Sequence, residues 1–356
     1  MRMTDAYSAS AIAAYHNEVA SNKIAYLGAG LFPSKKKTGL DLKWIKTSKG
    51  LPVSLAPSAF DTVSTIRSRE GFKIDETEMA FFKESMIVKE QDEQEIMRVQ
   101  DSTDPFAQEV INRLYDDAET LVAGAEVVPE RMRMQLLSSC TSSQGPSISI
   151  AANGATYAYN YDPNGDYVAN NFLEISTPSD KWDNPNSDPM ADIETACDTV
   201  EANTGSRPEI MIISKKTMNY LKANNKIRQY ILAQNTTANV MVTDARVKEI
   251  INTELGVSIV VYSKQYKKED GTVDKFYPDG MATLIPSGSL GNTWFGMSPD
   301  ERTGVMDPAK KVSIVETGIA VAVKITDDPV HTKTTVSEIV LPSFERMDET
   351  FQIKCY

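Results

Sequence analysis

Few side chains in this sequence are spaced for chemistry, and each spacing can be held against what that chemistry would need. Ser34-Lys35-Lys36-Lys37 fits S-x-x-K and Lys37-Thr38-Gly39 fits K-T-G, two signatures that surround an acylated serine. Both use the same lysine in a loop-like segment, so they cannot fill separate roles, and a lysine-rich surface is the stronger reading. Gly28-Ala29-Gly30 has no strand before it and lacks the third glycine of a dinucleotide fingerprint; no G-x-x-x-x-G-K-[ST] or G-x-S-x-G occurs. Cys140, Cys197 and Cys355 are odd in number, far apart and in no C-x-x-C pair, which points to buried or incidental thiols rather than disulfides or zinc. His16 and His331, one near each end, argue against a histidine-ligated metal or a His-based triad. Asp162-Pro163-Asn164-Gly165-Asp166 begins like a calcium loop but lacks the remaining ligands, so a tight turn is expected. Tyr157, Tyr159 and Tyr161 alternate as base-stacking aromatics would, yet no basic residue interleaves with them, and packing explains them better. No catalytic, cofactor-binding or metal residue is assigned, and neither enzyme activity nor a cofactor is expected.

Bulk composition bounds what such a chain can build. Its 356 residues exceed one usual hydrophobic core, and 41% hydrophobic content suffices for two domains with appendages. The formal net charge of -12 opposes tight nucleic-acid binding, which needs clustered Lys and Arg to release counterions. An acidic wall can still face nucleic acid without gripping it. No apolar run approaches the roughly 20 residues that span a bilayer, and MRMTDAYSAS has no signal-peptide core, so a soluble protein made in a cytoplasm is expected.

The elements follow from hydrophobic period and punctuation. Residues 1–30 carry Ile12, Tyr15, Val19, Ile24 and Leu27 at roughly helical intervals, an amphipathic arm that either lies on its own core or clasps a neighbour. Over 31–88 the period falls to two, in Leu40, Leu42 and Trp44 and again in Leu51, Val53 and Leu55, with Gly50, Pro52 and Pro57 between. This predicts an extended β-hairpin, and so long a hairpin needs a cover such as another subunit. A further β-prone run, 81–88, returns from it. Lys35, Lys36, Lys37, Lys43, Lys46 and Lys49 sit near the hairpin, while Asp75, Glu76, Glu78, Glu84, Glu90, Asp92, Glu93 and Glu95 follow it. These are either two solvated faces or complementary patches on adjacent copies. Asp104-Pro105 caps the longest helix, with Phe106, Val110, Leu114, Ala118, Leu121 and Ala125 on its apolar face and Pro129 expected to end or kink it. The irregular segment 178–189 marks a boundary. Beyond it a helix from Asp188-Pro189 to Gly205, a strand at 210–213, helices from Ser214 and Lys226, and one from Thr243 or Asp244 to Gly256 alternate in α/β fashion. A loop-rich passage, 286–306, precedes strands at 312–315, 320–325 and 336–341, and 351–356 finishes a sheet.

One stretch organises this half of the chain: GVSIVVYSKQYKKEDGTVDKFYPDGMATLIP, residues 256–286. Residues 258–262 are β-branched and apolar, as in a strand buried on both faces, and Asp270-Gly271 between two β-prone runs signals a type I′ hairpin. Tyr277-Pro278-Asp279-Gly280 then turns back into the apolar run 281–285. The order Ile259-Val260-Val261-Tyr262-Ser263, Gln265-Tyr266, charged hairpin, Phe276-Tyr277-Pro278-Asp279 and apolar strand resembles the corresponding segment of lambda-type tailed-bacteriophage major capsid proteins. The resemblance implies an α+β, Hong Kong 97-type phage capsid fold. Its parts would be an N-terminal arm (1–30), an extended β-hairpin loop (31–88), a peripheral domain with a long spine helix (89–178 and 307–356) and an inserted axial domain (179–306). It also implies self-association into hexamers and pentamers of an icosahedral shell enclosing double-stranded DNA, held without sequence-specific binding. Scaffolding, portal and decoration proteins are the further partners, no membrane is involved, and the place is the virion, assembled in the bacterial host cytoplasm. The subunit-interface candidates are then Lys35, Lys36, Lys37, Lys43, Trp44, Lys46, Lys267, Lys268, Glu269, Asp270 and Gly271. Reversing Lys35, Lys36 and Lys37 to Glu is expected to impair assembly more than folding. An encapsulin-like compartment is the nearest alternative; an unrelated α/β enzyme or ligand-binding protein, small and with a polar cleft, is the alternative of a different class.

Overall fold

The structure is a computed structural model that describes residues 8–18, 25–45, 74–88, 105–152, 155–233, 242–268, 270–307, 312–327 and 330–356. Two compact units share the chain. The first comprises Met1–Leu42, Glu76–Arg131 and Asn292–Ser343, the second Lys43–Asp75, Met132–Gly291 and Phe344–Tyr356.

Val, Ile and Thr crowd residues 312–344, and these β-branched side chains suit a pleated, half-buried surface. In the first unit they form β14 (Val312–Val315), β15 (Ile319–Asp327) and the fifteen-residue β16 (Val330–Phe344), paired antiparallel in that order. β4 (Ala80–Val88) takes the other edge of β16, from Val88 opposite Thr332 to Ala80 opposite Val340. β13 (Gly291–Gly296) adjoins β16, and β1 (Ser34–Lys36) runs parallel to β13. β2 (Asp41–Ile45) and β3 (Ile74–Glu78) pair as a separate ribbon; the expected strand at Leu51, Val53 and Leu55 lies outside the described residues.

The first described helix packs on the core of its own unit. Ala9 and Ile12 of α1 (Ala9–Glu18) are buried with Ala118, Leu121 and Val122 of α3 (Pro105–Ser138) and with Val315, Ile319, Val321 and Val336. In the short α2 (Leu27–Leu31) the Gly28 N–H donates to the buried Glu130 carboxylate at 3.0 Å. The spine helix α3 is 34 residues long, about 51 Å at 1.5 Å per residue. Contrary to expectation it runs through Pro129. Loss of that N–H costs about 3 kcal/mol in a free helix, but Leu121 and Val122 before it and Met132, Leu136 and Leu137 after it are buried and hold both halves. Its expected Asp104 cap lies outside the described residues.

The passage 286–306 is not the predicted loop. It contains β13 and then α9 (Pro299–Met306), where the Ser298 hydroxyl accepts from the Glu301 N–H. Of the glycines that suggested a loop, Gly296 serves close packing instead: a Cβ there would stand 2.8 Å from Ile339 Cγ2.

The second unit is built on a five-stranded sheet in the order β7 (Phe172–Glu174), β17 (Phe351–Lys354), β12 (Met281–Ile285), β8 (Ile210–Ile213) and β9 (Ser258–Val261). β12 is central, wholly buried and antiparallel to both neighbours, whereas β8–β9 and β7–β17 are parallel pairs. The apolar run 258–262 was expected to be buried on both faces; β9 is instead an edge strand with Ser258 exposed and Val260 and Val261 half-buried. Four helices cover the sheet: α5 (Pro189–Thr204), α6 (Lys215–Ala223), α7 (Asn225–Ala233) and α8 (Asp244–Leu255). They bury Ile193, Cys197, Leu221, Ile227, Val247 and Ile251 together with Met211, Ile213, Ala282 and Leu284. Their caps are local and were expected: Asp188, Ser214 and Thr243 accept from the N–H three residues on, and Gly205 and Gly256 close α5 and α8 in the left-handed conformation.

The irregular segment 178–189 is tied down by Trp182, 1% exposed, whose indole N–H donates to Asp192 at 2.9 Å. Free carbonyls at the end of α3 find side chains, since the Gln352 amide donates to Leu136 O and the Thr283 hydroxyl to Leu137 O. β5 (Ser147–Ala152) and β6 (Ala155–Asn160) form an antiparallel ribbon carrying Tyr157 and Tyr159, their rings 6.5 Å apart. After it Asp162 closes a turn and accepts from the Tyr167 and Val168 N–H groups at the start of α4 (Asp166–Asn171), so its carboxylate works as a cap.

Candidate assembly surfaces

β1 exists because its backbone pairs with β13, Ser34 opposite Thr293 and Lys36 opposite Phe295, leaving its three side chains exposed. The lysines nevertheless have partners within their own unit. Lys36 forms an ion pair with Glu301, whose side chain is 5% exposed, and Lys37 Nζ donates to Asp41 O at 2.8 Å. Lys35 Nζ lies 5.6 Å from the Trp294 ring centroid, at cation–π range. Lys43 and Trp44 belong to β2, whose Leu42 is fully buried, and Lys46 lies outside the described residues.

The second set of candidates sits on the hairpin of β10 (Gln265–Lys267) and β11 (Val273–Lys275), where Tyr266 faces Asp274 and Lys267 faces Val273. The turn differs from the expected type I′. Gly271 N–H donates to Lys268 O and Lys268 N–H donates to Thr272 O; Gly271 has φ +82°, but Asp270 is not among the described residues with positive φ, as a type I′ pair would require. The Asp270 carboxylate accepts from the Thr272 hydroxyl and backbone N–H, and these bonds hold it below the usual carboxylate range. Lys268 pairs across the ribbon with Asp274 at 2.6 Å, and Glu269 lies outside the described residues. Below the tip the ribbon is fixed by Tyr266 and Tyr262 on Phe276, with centroids 4.8 and 6.3 Å apart. The result is a braced base and an exposed tip bearing two lysines and Val273, which is 59% exposed.

Lys35, Lys36 and Lys37 belong to the first unit, and Lys43, Trp44 and the hairpin to the second. Sequence reasoning missed exposed apolar side chains that could join them: Met86 and Ile87 on β4, Val305 and Met306 at the end of α9, and Ile314 on β14. A signal for the first pair was present, since successive strand residues face opposite sides and Met86-Ile87-Val88 is apolar throughout. The cysteines offer no competing chemistry. Burial pushes all three thiols up, Cys197 to about 11, so little thiolate forms at neutral pH. No described helix is long and apolar enough to cross a membrane.

A 34-residue helix, an N-terminal helix packed on a mixed sheet, a paired ribbon and a second α/β unit with a hairpin make up a Hong Kong 97-type phage capsid fold. Solved structures share it, among them the following three. A proposed prophage capsid protein from E. coli CFT073 aligns with a TM-score of 0.61 at 16% identity, covering 98% of this chain and 99% of that one. A phage-related protein from Bordetella bronchiseptica RB50 gives 0.54 at 15%, covering 98% and 97%, and the capsid subunit of cyanophage A-1(L) gives 0.53 at 13%, covering 92% and 91%. The profile of the Phage major capsid protein E family matches residues 8–355, and the chain belongs to that family. It is a shell protein of a tailed phage or prophage, associating with copies of itself in the virion. A comparison with curated protein sequences found no match.

Proposed function

We propose that this chain forms the closed icosahedral shell around double-stranded DNA, as hexamers and pentamers, and that its work is structural rather than catalytic. One subunit must then occupy several nearly equivalent positions, so rigid units repeat heterologous contacts while arms and ribbons adjust. The observation that carries this reading is the family match along 8–355 of the chain. Exposed side chains on two paired ribbons and a strand edge, with their bases fixed, fit the same role. Residues 1–30 are the arm and 31–88 the extended loop in this proposal. The peripheral and axial domains follow the sequence boundaries with these pieces redrawn: β7 and β17 join the axial sheet, because β17 pairs with both β12 and β7, and β13 with α9 joins the peripheral one. Interfaces on the order of 2,000 Å² or more per subunit are expected. Lys35, Lys37, Lys43, Trp44, Lys46 and the tip 267–271 are the proposed contacts, with scaffolding, portal and decoration proteins as further partners. Electron microscopy of the expressed chain tests the reading: closed shells are expected, and a stable monomer under every assembly condition would overturn it.

A further inference from the structure

Among the described residues of the first unit, one buried imidazole has no part in the shell reading. His16 on α1 is 2% exposed. Its Nδ1 lies 2.9 and 2.8 Å from the two carboxylate oxygens of Glu119 on α3. Its Nε2, equally buried, has no hydrogen-bond partner. Two turns along α3, Glu126 Oε1 stands 3.4 Å from that nitrogen. A third donor comes from Glu316, in the turn between β14 and β15: one ligand atom each from His16, Glu126 and Glu316 lie within 4.8 Å of one another. Glu316 is also the one non-glycine residue with positive φ, +51°, among the described residues.

A carboxylate on Nδ1 fixes the tautomer that leaves a lone pair on Nε2, the arrangement found behind histidines that bind metal. A cation between that lone pair and the two carboxylate oxygens would be favoured by both. With Zn–N and Zn–O bonds of about 2.0–2.1 Å, neighbouring ligands of a tetrahedral site stand about 3.3 Å apart. The Nε2 to Glu126 separation of 3.4 Å already matches that edge, and Glu316 closes the rest by a carboxylate movement of about an ångström or so. Calcium and magnesium favour all-oxygen shells, whereas imidazole with carboxylates suits zinc and its neighbours. We propose that His16 Nε2, Glu126 and Glu316 bind a divalent transition-metal ion of the zinc class, with Glu119 orienting the imidazole. Bound there, the ion ties the N-terminal helix to the spine helix and to the β14–β15 turn. Three protein ligands leave one position for water, as zinc permits. The proposal does not depend on shell assembly.

Untagged full-length chain, stripped with EDTA and dialysed against zinc chloride, should retain one zinc per chain by elemental analysis. Its melting temperature should rise with zinc. His16→Gln and Glu316→Gln should each weaken binding at least tenfold, and Glu119→Gln by roughly tenfold, the usual effect of losing an orienting partner. X-ray absorption of the zinc-loaded wild-type chain, which does not rely on any variant folding, should show a single imidazole with oxygen donors. Absence of saturable zinc, binding unchanged by both ligand substitutions, or sulfur scattering that puts the ion on a cysteine would each overturn the site.

Discussion

Lys35 and Lys36 are adjacent on a three-residue strand, yet their side chains have different work, and this divides the charge-reversal experiment that the sequence suggested. Lys36 neutralises Glu301, whose carboxylate is 5% exposed. In Lys36→Glu that carboxylate would face a like charge with little water to screen it. Losing one partner of a fully buried pair costs about 3–5 kcal/mol; with Lys36 itself 35% exposed, about 2 kcal/mol is expected here, read as a lowered urea midpoint. Lys35→Glu forfeits only the contact with Trp294, about 0.5–1 kcal/mol at an exposed site. It should melt close to wild type while yielding fewer shells by sedimentation; undiminished shells would remove this strand edge from the interface. Asp244 gives a second test at this scale. Ion pairs with Lys215 and Lys222 lower its carboxyl to about 2. Because the folded value lies below the unfolded one, about 3.9, the carboxylate favours folding above the unfolded value, and this contribution is lost as pH falls towards about 2. Asp244→Asn should therefore be less stable than wild type at pH 7, with the gap closing between about pH 4 and 2 in chemical denaturation. A gap that persists at pH 2 would assign Asp244 a role other than its charge.

At the scale of elements, what was legible depended on whether the determining contacts are local. Asp188, Ser214, Thr243, Gly205 and Gly256 were readable as caps because each acts within one turn of its own helix. The Gly271 turn was readable as a reversal for the same reason, although only Gly271 of the Asp-Gly pair has the positive φ that a type I′ turn needs. β9 was misjudged because being an edge depends on which strands exist elsewhere, and its partner β8 lies some 48 residues earlier by register, Ile210 opposite Ser258. β13 was hidden by Gly296, whose smallness answers to Ile339, far away in sequence. The candidate contacts were legible as charge and turn patterns; that Lys36 is already paired, and that His16 meets Glu126 and Glu316, depends on pairings 110 to 300 residues apart that no spacing rule reaches. The hairpin can be tested as an element, because Tyr266 and Asp274 face each other across it. Replacing residues 267–273 with Asn-Gly joins them through a two-residue turn that the strand twist favours. With Phe276 still on Tyr262 and Tyr266, the subunit should keep its melting temperature to within about 2 °C, a shift worth less than about 1 kcal/mol in a chain of this size. Electron microscopy should then show few or no closed shells. Shells of normal yield would remove the tip from the set of contacts.

For the whole molecule the governing quantity is charge. A shell that holds a packed polyanion cannot adsorb it, because each phosphate contact releases a counterion and makes binding both tight and steeply dependent on salt, with log K falling by about 0.9 per contact for each tenfold rise in salt. The chain carries 49 acidic and 37 basic residues. Among the described residues, several lysines are moreover spent on carboxylates of the same subunit: Lys36 on Glu301, Lys83 on Asp300, Lys215 and Lys222 on Asp244, Lys226 on Asp188, Lys275 on Asp279 and Lys354 on Glu174. A cation already paired contributes little to a phosphate, since the new contact must first break the old one. Duplex DNA of any sequence should therefore bind free subunits more weakly than about 10⁻⁴ M near physiological salt, the weak end of non-specific binding. Fluorescence anisotropy between 50 and 200 mM salt should give a slope near zero. A slope of several units would mean that several basic side chains act together on the backbone, and the acidic inner wall would have to give way to a basic one.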